Sequence, residues 1–454
     1  MRLSRFVAKV ATVLAVFSLT VQQAAAQSIL RDAETEAVLD DMARPLILAA
    51  GLDPKNVDIV LVNDPSINAF VAGGQAVYIN SGLINAADDA NEVQGVIAHE
   101  LGHVTGGHAV RNSEGAKPAT GITILSLVLG LAAAAAGAGE AGMGIIGAGQ
   151  QAALGKYLAF SRAQESSADA AGAKYLSKAG ISGKGSIDFF KKLQNMEFRY
   201  GFTRNDMTEF YSTHPMTADR LTRLQDTYEK DPAWNTKTPA KLEERFQRIK
   251  AKLYGYLADP KDTLRAFPEY VNTVPALYAR AYAFHKEAFM DKALDEADKL
   301  LAKEPDDPYF LELKGQILLE SGKPRAAIPP LREATELTGN NPLIATTFGH
   351  ALIATEDKAN YAEAQRVLKA AVAKDDQNPF AWYQLGMVYE ANGDHARARL
   401  ASAEQQFMER EYDEALRSSM AAEMGLPKDS PDFLRAQDIE MSSRAAIEQQ
   451  KKKR

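Results

Sequence analysis

The chain has 454 residues, with 52 Lys+Arg against 59 Asp+Glu, a net charge of −7, 46% hydrophobic residues and no Cys. That length predicts two or three domains with ordinary cores, and the composition excludes a wholly disordered, collagen-like or polytopic membrane protein. Mild acidity provides no basic footprint for nucleic acid. Without Cys there are no disulfides, thiolate metal sites or cysteine nucleophiles, so any chemistry rests on His, carboxylates, hydroxyls or a metal they hold.

At the start of the chain, Arg2, Arg5 and Lys9 precede an apolar run from about Val10 to Val21 and then Ala24-Ala25-Ala26. This pattern is that of a secretory signal peptide cleaved near Ala26, residues 1–26. The run is too short to span roughly 30 Å of hydrocarbon comfortably. From Ser28 to Ala50, Ile29, Val38, Leu39, Met42, Leu46 and Ile47 recur at helical spacing, with Pro45 predicting a break or kink. Two β-rich runs follow, Val57 to Val62 and Ala76 to Ile79. Asn63-Asp64-Pro65 turns after the first, and Gly73-Gly74 precedes the second.

Asn91 through His108 reads as a helix and contains His99-Glu100-Leu101-Gly102-His103. Residues four apart share a helix face, so both imidazoles reach one zinc ion while Glu100 addresses a water beside it. Gly102 costs roughly 1 kcal/mol in a helix interior, which makes sense if another backbone or a ligand passes close by. A catalytic zinc takes three protein ligands and leaves a position for water. His108 does not fit the short spacing of a third His, so the third ligand is distant. Glu165, in Ser161 to Asp169, is the candidate. Asp169 projects from the same face one turn later, where it can orient a zinc-bound His.

From Ala119 to Gly139 there is no charged residue, Glu140 interrupts once, and the Gly/Ala-rich character resumes to Gly155. Only Ile122 to Leu131 is strongly apolar. The segment is read as a lid over the site, a buried helical hairpin, a membrane-contacting flap or a true membrane span, with the lid preferred. Beyond Pro260, Pro275, Pro308, Pro342 and Pro379 are spaced by 33, 34 and 37 residues, close to the 34-residue tetratricopeptide period. Tyr282, Gly315, Gly349 and Gly386 follow seven residues later, and Ala293, Ala327, Ala364 and Ala398 mark where a second helix packs closely on the first. A further unit runs from Tyr412 to the end. Such arrays offer a concave surface to a protein partner.

Taken together, the motifs resemble the gluzincin metalloproteases related to HtpX, the CAAX prenyl endopeptidases and the periplasmic BepA-like proteases. The match lies in Asn68-Ala69-Phe70 with Gly73-Gly74, in Val77 to Leu83, in His99 to His103, in Glu165 to Asp169, and in Ser212-Thr213-His214-Pro215 with Arg220. The resemblance implies one zinc per chain on His99, His103 and Glu165, with Glu100 as general base. His214 has three readings: donor to the transition-state oxyanion, occupant of zinc's open position at rest, or shaper of a turn. Arg220 is a second oxyanion or substrate-carboxylate contact, or else a salt-bridge partner of Asp169.

The expected fold is α+β and mainly helical. A gluzincin metalloprotease domain with a small β-sheet occupies 27–258, and an all-α tetratricopeptide solenoid occupies 259–450. Ala76, Val77, Tyr78 and Ile79, if they form a sheet edge beside the cleft, hold extended substrate by strand addition. The function expected is an exported, periplasmic zinc endopeptidase cutting unfolded or misassembled proteins, with a partner on the repeats such as outer-membrane assembly machinery. The alternative is a chaperone or assembly factor with latent proteolysis. A purely structural zinc is disfavoured, because such sites are closed by four protein ligands, often with Cys.

Overall fold

The computed structural model describes residues 29–135, 138–200, 214 and 217–453. The signal peptide expected at 1–26, and Ser212, Thr213 and Pro215 of the last motif, lie outside the described residues. The chain divides into two compact units, one formed by Leu39–Glu243 with Leu30 and the other by Arg31–Val38 and Glu244–Arg454.

The first unit takes most of helix α1 (Ala33–Ala50). Met42, Ala43, Leu46 and Ile47 are buried along it, and the helix continues through Pro45 instead of breaking there. Proline removes one backbone bond, which the buried face on both sides outweighs. The sheet has three strands, β1 (Asp58–Val62), β2 (Ala69–Ala72) and β3 (Ala76–Asn80), in the order β1-β3-β2. β1 runs parallel to β3, and β2 runs antiparallel to it through a turn in which Gly73 and Gly74 take φ of 63° and 100°.

This order corrects one expectation. Ala76 to Ile79 are the central strand, with both edges engaged by neighbours, so no substrate can add there. β1 and β2 are the two edge strands; the outer side of β1 is met at Val62 by an isolated bridge from Ile29, whereas β2 packs against the motif helix. As a strand, β2 escaped the periodicity reading because four residues between turn signals are too few to show alternation.

Helix α2 (Ser81–Ala86) leads into α3 (Ala90–Gly106), which carries the H-E-x-x-H residues. Asp89 caps α3 by accepting from the Glu92 N–H, and Gly107 ends it in the left-handed conformation at φ 63°. Every residue from Ala90 to His103 is buried. Helix α4 (His108–Ala135) and helix α5 (Gly139–Ala179) follow, then α6 (Lys184–Tyr200) and α7 (Ala218–Glu229).

α4 and the first part of α5 form a hairpin with Ile124, Leu125, Val128, Leu129 and Leu131 all exposed. A buried hairpin is therefore not what forms, and a lid would turn these side chains onto the motif helix. None of the helices among the described residues is long and apolar enough to cross a membrane.

In the second unit, helices pack as antiparallel pairs. Pro275, Pro308, Pro342 and Pro379 each stand in the first turn of a helix, in Val274–Lys286, Pro308–Glu320, Pro342–Ile353 and Pro379–Ala391. A missing N–H costs nothing at that position. Ala293, Ala327, Ala364 and Ala398 are buried on the second helices. A Cβ at Gly315 would meet Leu331 Cγ at 2.4 Å, and one at Gly349 would meet Leu368 Cδ2 at 2.6 Å. The first unit of the series has Tyr282 instead of Gly, packed edge-on against Tyr256 at 5.9 Å. Tyr412–Gly425 and Pro431–Lys453 close the series.

Candidate metal centre

The centre forms where α3 and α5 cross at backbone contact. A Cβ at Gly102 would lie 2.5 Å from the Ala168 carbonyl oxygen, and one at Gly172 would lie 3.0 Å from the Ala98 carbonyl oxygen. Small residues on both helices thus let the axes approach, and Glu165 and Asp169 come down on the two imidazoles. The close passage that Gly102 predicted is the α5 backbone itself.

His99, His103, Glu165 and His214 each offer a donor atom, and the four atoms lie within 4.8 Å of one another. His99 Nε2 is 3.1 Å from His103 Nε2 and 3.3 Å from His214 Nδ1. Glu165 reaches His103 Nε2 at 3.3 Å, His99 Nε2 at 3.4 Å and His214 Nδ1 at 3.2 Å. All four residues are buried.

The far side of each imidazole is also engaged. His99 Nδ1 is 3.0 Å from Asp169 Oδ1, though off the line of a hydrogen bond. His103 Nδ1 is 2.8 Å from His108 Nδ1, and His108 Nε2 is 3.1 Å from Ser167 Oγ. Protons on the Nδ1 atoms of His99 and His103 leave both Nε2 lone pairs facing the centre, as a cation requires.

His108 is the residue that sequence reasoning missed. It was set aside as a ligand on spacing, and its role instead is to orient His103. The available signal was Gly106, because a Cβ there would fall 2.3 Å from His108 Nε2 and deny the ring its place.

Burial by itself would lower the pKa of His99, but Asp169 and Glu165 beside it outweigh that and push it up to about 10. Burial would likewise raise Glu165, yet His103, His214 and His99 hold it well below the usual carboxylate range. Burial lowers His103, only partly offset by Glu165. Two carboxylates gathered against these imidazoles make a donor set that suits a divalent metal.

Glu100 is fully buried, and neither of its carboxylate oxygens has a hydrogen-bond partner among the described residues. His214 Nε2 lies 3.5 Å from Glu100 Oε1. A buried carboxylate without donors is costly, which fits a group kept for a proton at the metal.

The expectation that Arg220 contacts an oxyanion or substrate is corrected. Its Nε and Nη2 donate to the two oxygens of Asp169 at 2.5 and 2.7 Å, and Nη1 lies 2.8 Å from Glu165 Oε2. The guanidinium is buried with its nitrogens on these carboxylates, so Arg220 fixes Asp169 and Glu165 in place.

Residues 30–228 match peptidase family M48, and residues 367–400 match a tetratricopeptide repeat. The beta-barrel assembly-enhancing protease of Yersinia pestis is 28% identical over 64% of this chain and 60% of its own length. That of Escherichia coli K12 is 27% identical over 78% of this chain and 72% of its own. The metalloprotease LoiP of the same organism is 30% identical over 39% of this chain and 64% of its own. The chain thus spans about three fifths of the length of the Yersinia relative. The donor set at the centre lies within the stretch that matches peptidase family M48, and the tetratricopeptide match lies beyond it.

Proposed function

We propose that this chain is an exported, zinc-dependent metalloendopeptidase that cuts extended segments of unfolded or misassembled proteins in the periplasm, within outer-membrane protein quality control. The observation that carries this reading is the convergence of His99, His103 and Glu165 beside a buried Glu100 carboxylate with no hydrogen-bond partner among the described residues. The beta-barrel assembly-enhancing proteases among the relatives supply the biological setting.

His99, His103 and Glu165 would hold a zinc, which when bound would supply the Lewis acidity that lowers the pKa of a water toward about 7 and polarises the scissile carbonyl. Glu100 takes the proton from the attacking water and passes it to the leaving amine. Asp169 and His108 hold the two imidazoles, and Arg220 holds Asp169 and Glu165. Extended substrate adds to the free edge of β2, Ala69 to Ala72, in place of the β3 residues expected from sequence. Backbone recognition of this kind favours unfolded chains over particular sequences.

His214 is the fourth donor. Of its three readings, occupation of the open position at rest is the one its Nδ1 geometry supports, at 3.2 Å from Glu165 and 3.3 Å from His99 Nε2. The enzyme is then self-restrained. A partner on the repeats, or the substrate itself, displaces His214.

The test measures zinc content and cleavage of unfolded casein for the chain from Gln27, with Glu100→Gln and His214→Ala. About one zinc per chain, weak cutting by the wild type, none by E100Q and more by H214A would support the reading. If all three hold zinc and none cuts, the chaperone reading replaces it.

A further inference from the structure

The α4–α5 hairpin is the part of the first unit that the metal centre does not use. Its two arms pack through small residues: a Cβ at Gly149 would fall 2.0 Å from Ser126 Cβ, and one at Gly130 would fall 2.4 Å from Ile146 Cγ1. This is the close helix contact by which apolar helices associate without a hydrophobic drive. Outside that seam the side chains are apolar and exposed, with Ile124, Leu125, Leu127, Val128, Leu129 and Leu131 on α4 and Met143, Ile145 and Leu154 on α5. At 100° per residue the exposed α4 positions sweep roughly 200° of the helix circumference. A surface helix of a globular protein carries a narrower stripe, a little over about 100° wide.

The charge pattern is equally one-sided. Apart from Glu140, no charged residue occurs from Ala119 to Gly155. Lys117 and Lys156 bound the stretch and are both exposed. Because Ser126 faces Gly149 across the antiparallel arms, Lys117 and Lys156 stand at nearly the same height at the hairpin's base. Exposed Tyr157 and Arg162 lie beside and below them. Cations and an aromatic ring beneath an apolar rod whose one charge, Glu140, sits at its far end match the anionic headgroups and the hydrocarbon of a lipid surface, respectively. The apolar arm of α4, 119–135, is about 25 Å long against about 30 Å of hydrocarbon, so it enters without crossing.

We propose that the α4–α5 hairpin is a membrane-surface anchor that inserts into an anionic bilayer from one side without crossing it, with Lys117 and Lys156 at the headgroups. A protein groove or a second copy would cover one face of the rod and leave the other apolar face in water. Glu165 lies nine residues past Lys156 on the same helix, which places the metal centre about 14 Å from the lipid surface. The consequence rests on the metalloprotease reading, although the binding does not: the anchor then holds the site beside the membrane, where emerging substrate meets it.

The test is flotation of the chain from Gln27, which holds every described residue and lacks the apolar leader, with vesicles of phosphatidylethanolamine and phosphatidylglycerol (3:1) or of phosphatidylcholine alone. The wild type is expected to float with both, more strongly with the anionic vesicles at low salt. The double variant Leu125→Glu/Val128→Glu should lose at least tenfold in partitioning. Lys117→Glu/Lys156→Glu should weaken binding severalfold to the anionic vesicles only. Absence of flotation, or flotation unchanged in L125E/V128E, would overturn the proposal. So would a dimer in sedimentation that L125E/V128E abolish while no vesicle binds, since the surface would then belong to a second copy.

Should the Glu variants fail to fold, Leu129→Trp decides. Added fluorescence quenched by brominated lipid, relative to the parent with Trp234 and Trp382, supports insertion, and no added quenching refutes it. Casein cleavage without vesicles reads the protease activity independently of either result.

Discussion

Gly102 on the motif helix and Ala168 on α5 meet backbone to backbone, with a Cβ at Gly102 only 2.5 Å from the Ala168 carbonyl oxygen. That contact sets the height at which Glu165 faces the two imidazoles. Gly102→Ala adds one methyl group, gains helix propensity and still pushes the helices apart. Overpacking of this kind costs about 1–3 kcal/mol. G102A should melt several degrees lower and retain less zinc after dialysis, as calorimetry and metal analysis will show. Unchanged zinc affinity would mean that the crossing does not position the donors.

His108 acts through His103, so its loss should read out in metal affinity more than in folding. His108→Ala removes the partner of His103 Nδ1 at 2.8 Å, and losing such an orienting partner typically costs about 10–100-fold in affinity. Competition against a chromogenic chelator measures this directly. Cleavage at saturating zinc should recover in part. If zinc affinity holds and only the melting temperature falls, His108 is a packing residue.

The free edge of β2 can be tested without breaking the sheet. The Asn68 carbonyl accepts from the Asn80 N–H at 3.0 Å, so alternation along the antiparallel ladder turns the N–H and C=O of Ala69 and Val71 outward. Val71→Pro removes one outward donor and leaves the ladder to β3 intact. The expected result is a KM for casein raised severalfold, with kcat and melting temperature nearly unchanged. An unaltered KM would place substrate elsewhere.

In the repeat unit, Glu312 Oε2 is sealed from solvent without a hydrogen-bond partner, although the residue as a whole is half-buried. Burial raises its pKa from 4.5 to about 8, helped by Asp32 and Glu34 and opposed by Lys252. Between those two values the folded chain keeps a proton that the unfolded chain has lost. The contribution of Glu312 to stability is therefore full below pH 4.5 and gone above about pH 8. Glu312→Gln carries no such loss. Its melting temperature relative to wild type should climb by several degrees as pH goes from 5 to 9, and a constant difference would contradict the shift.

The H-E-x-x-H residues could be recognised from sequence because helical periodicity alone puts residues four apart on one face, whatever the rest of the chain does. The repeats were legible for a similar reason. Each Pro, Gly and Ala answers a local need, a first turn or a close helix crossing, and the need recurs about every 34 residues. β2 was not legible as a strand, and the order β1-β3-β2 was not legible at all. Pairing partners are chosen by tertiary contacts, so a central strand and an edge strand read alike.

Sequence by itself determined the chemistry available to this protein. With no Cys, a metal had to be held by His and carboxylates, and only His99, Glu100 and His103 stood at a spacing that one helix could use. Only the tertiary structure decided which distant groups complete the centre and what each one does. His108 became the orienter of His103, Arg220 the clamp on Asp169 and Glu165, and His214 the fourth donor, because side-chain direction depends on how α3, α5 and α7 pack. The hairpin divides along the same line. Its lack of charge was written in the sequence, whereas the exposure of its apolar side chains followed from the pairing of its arms along a narrow seam of small residues.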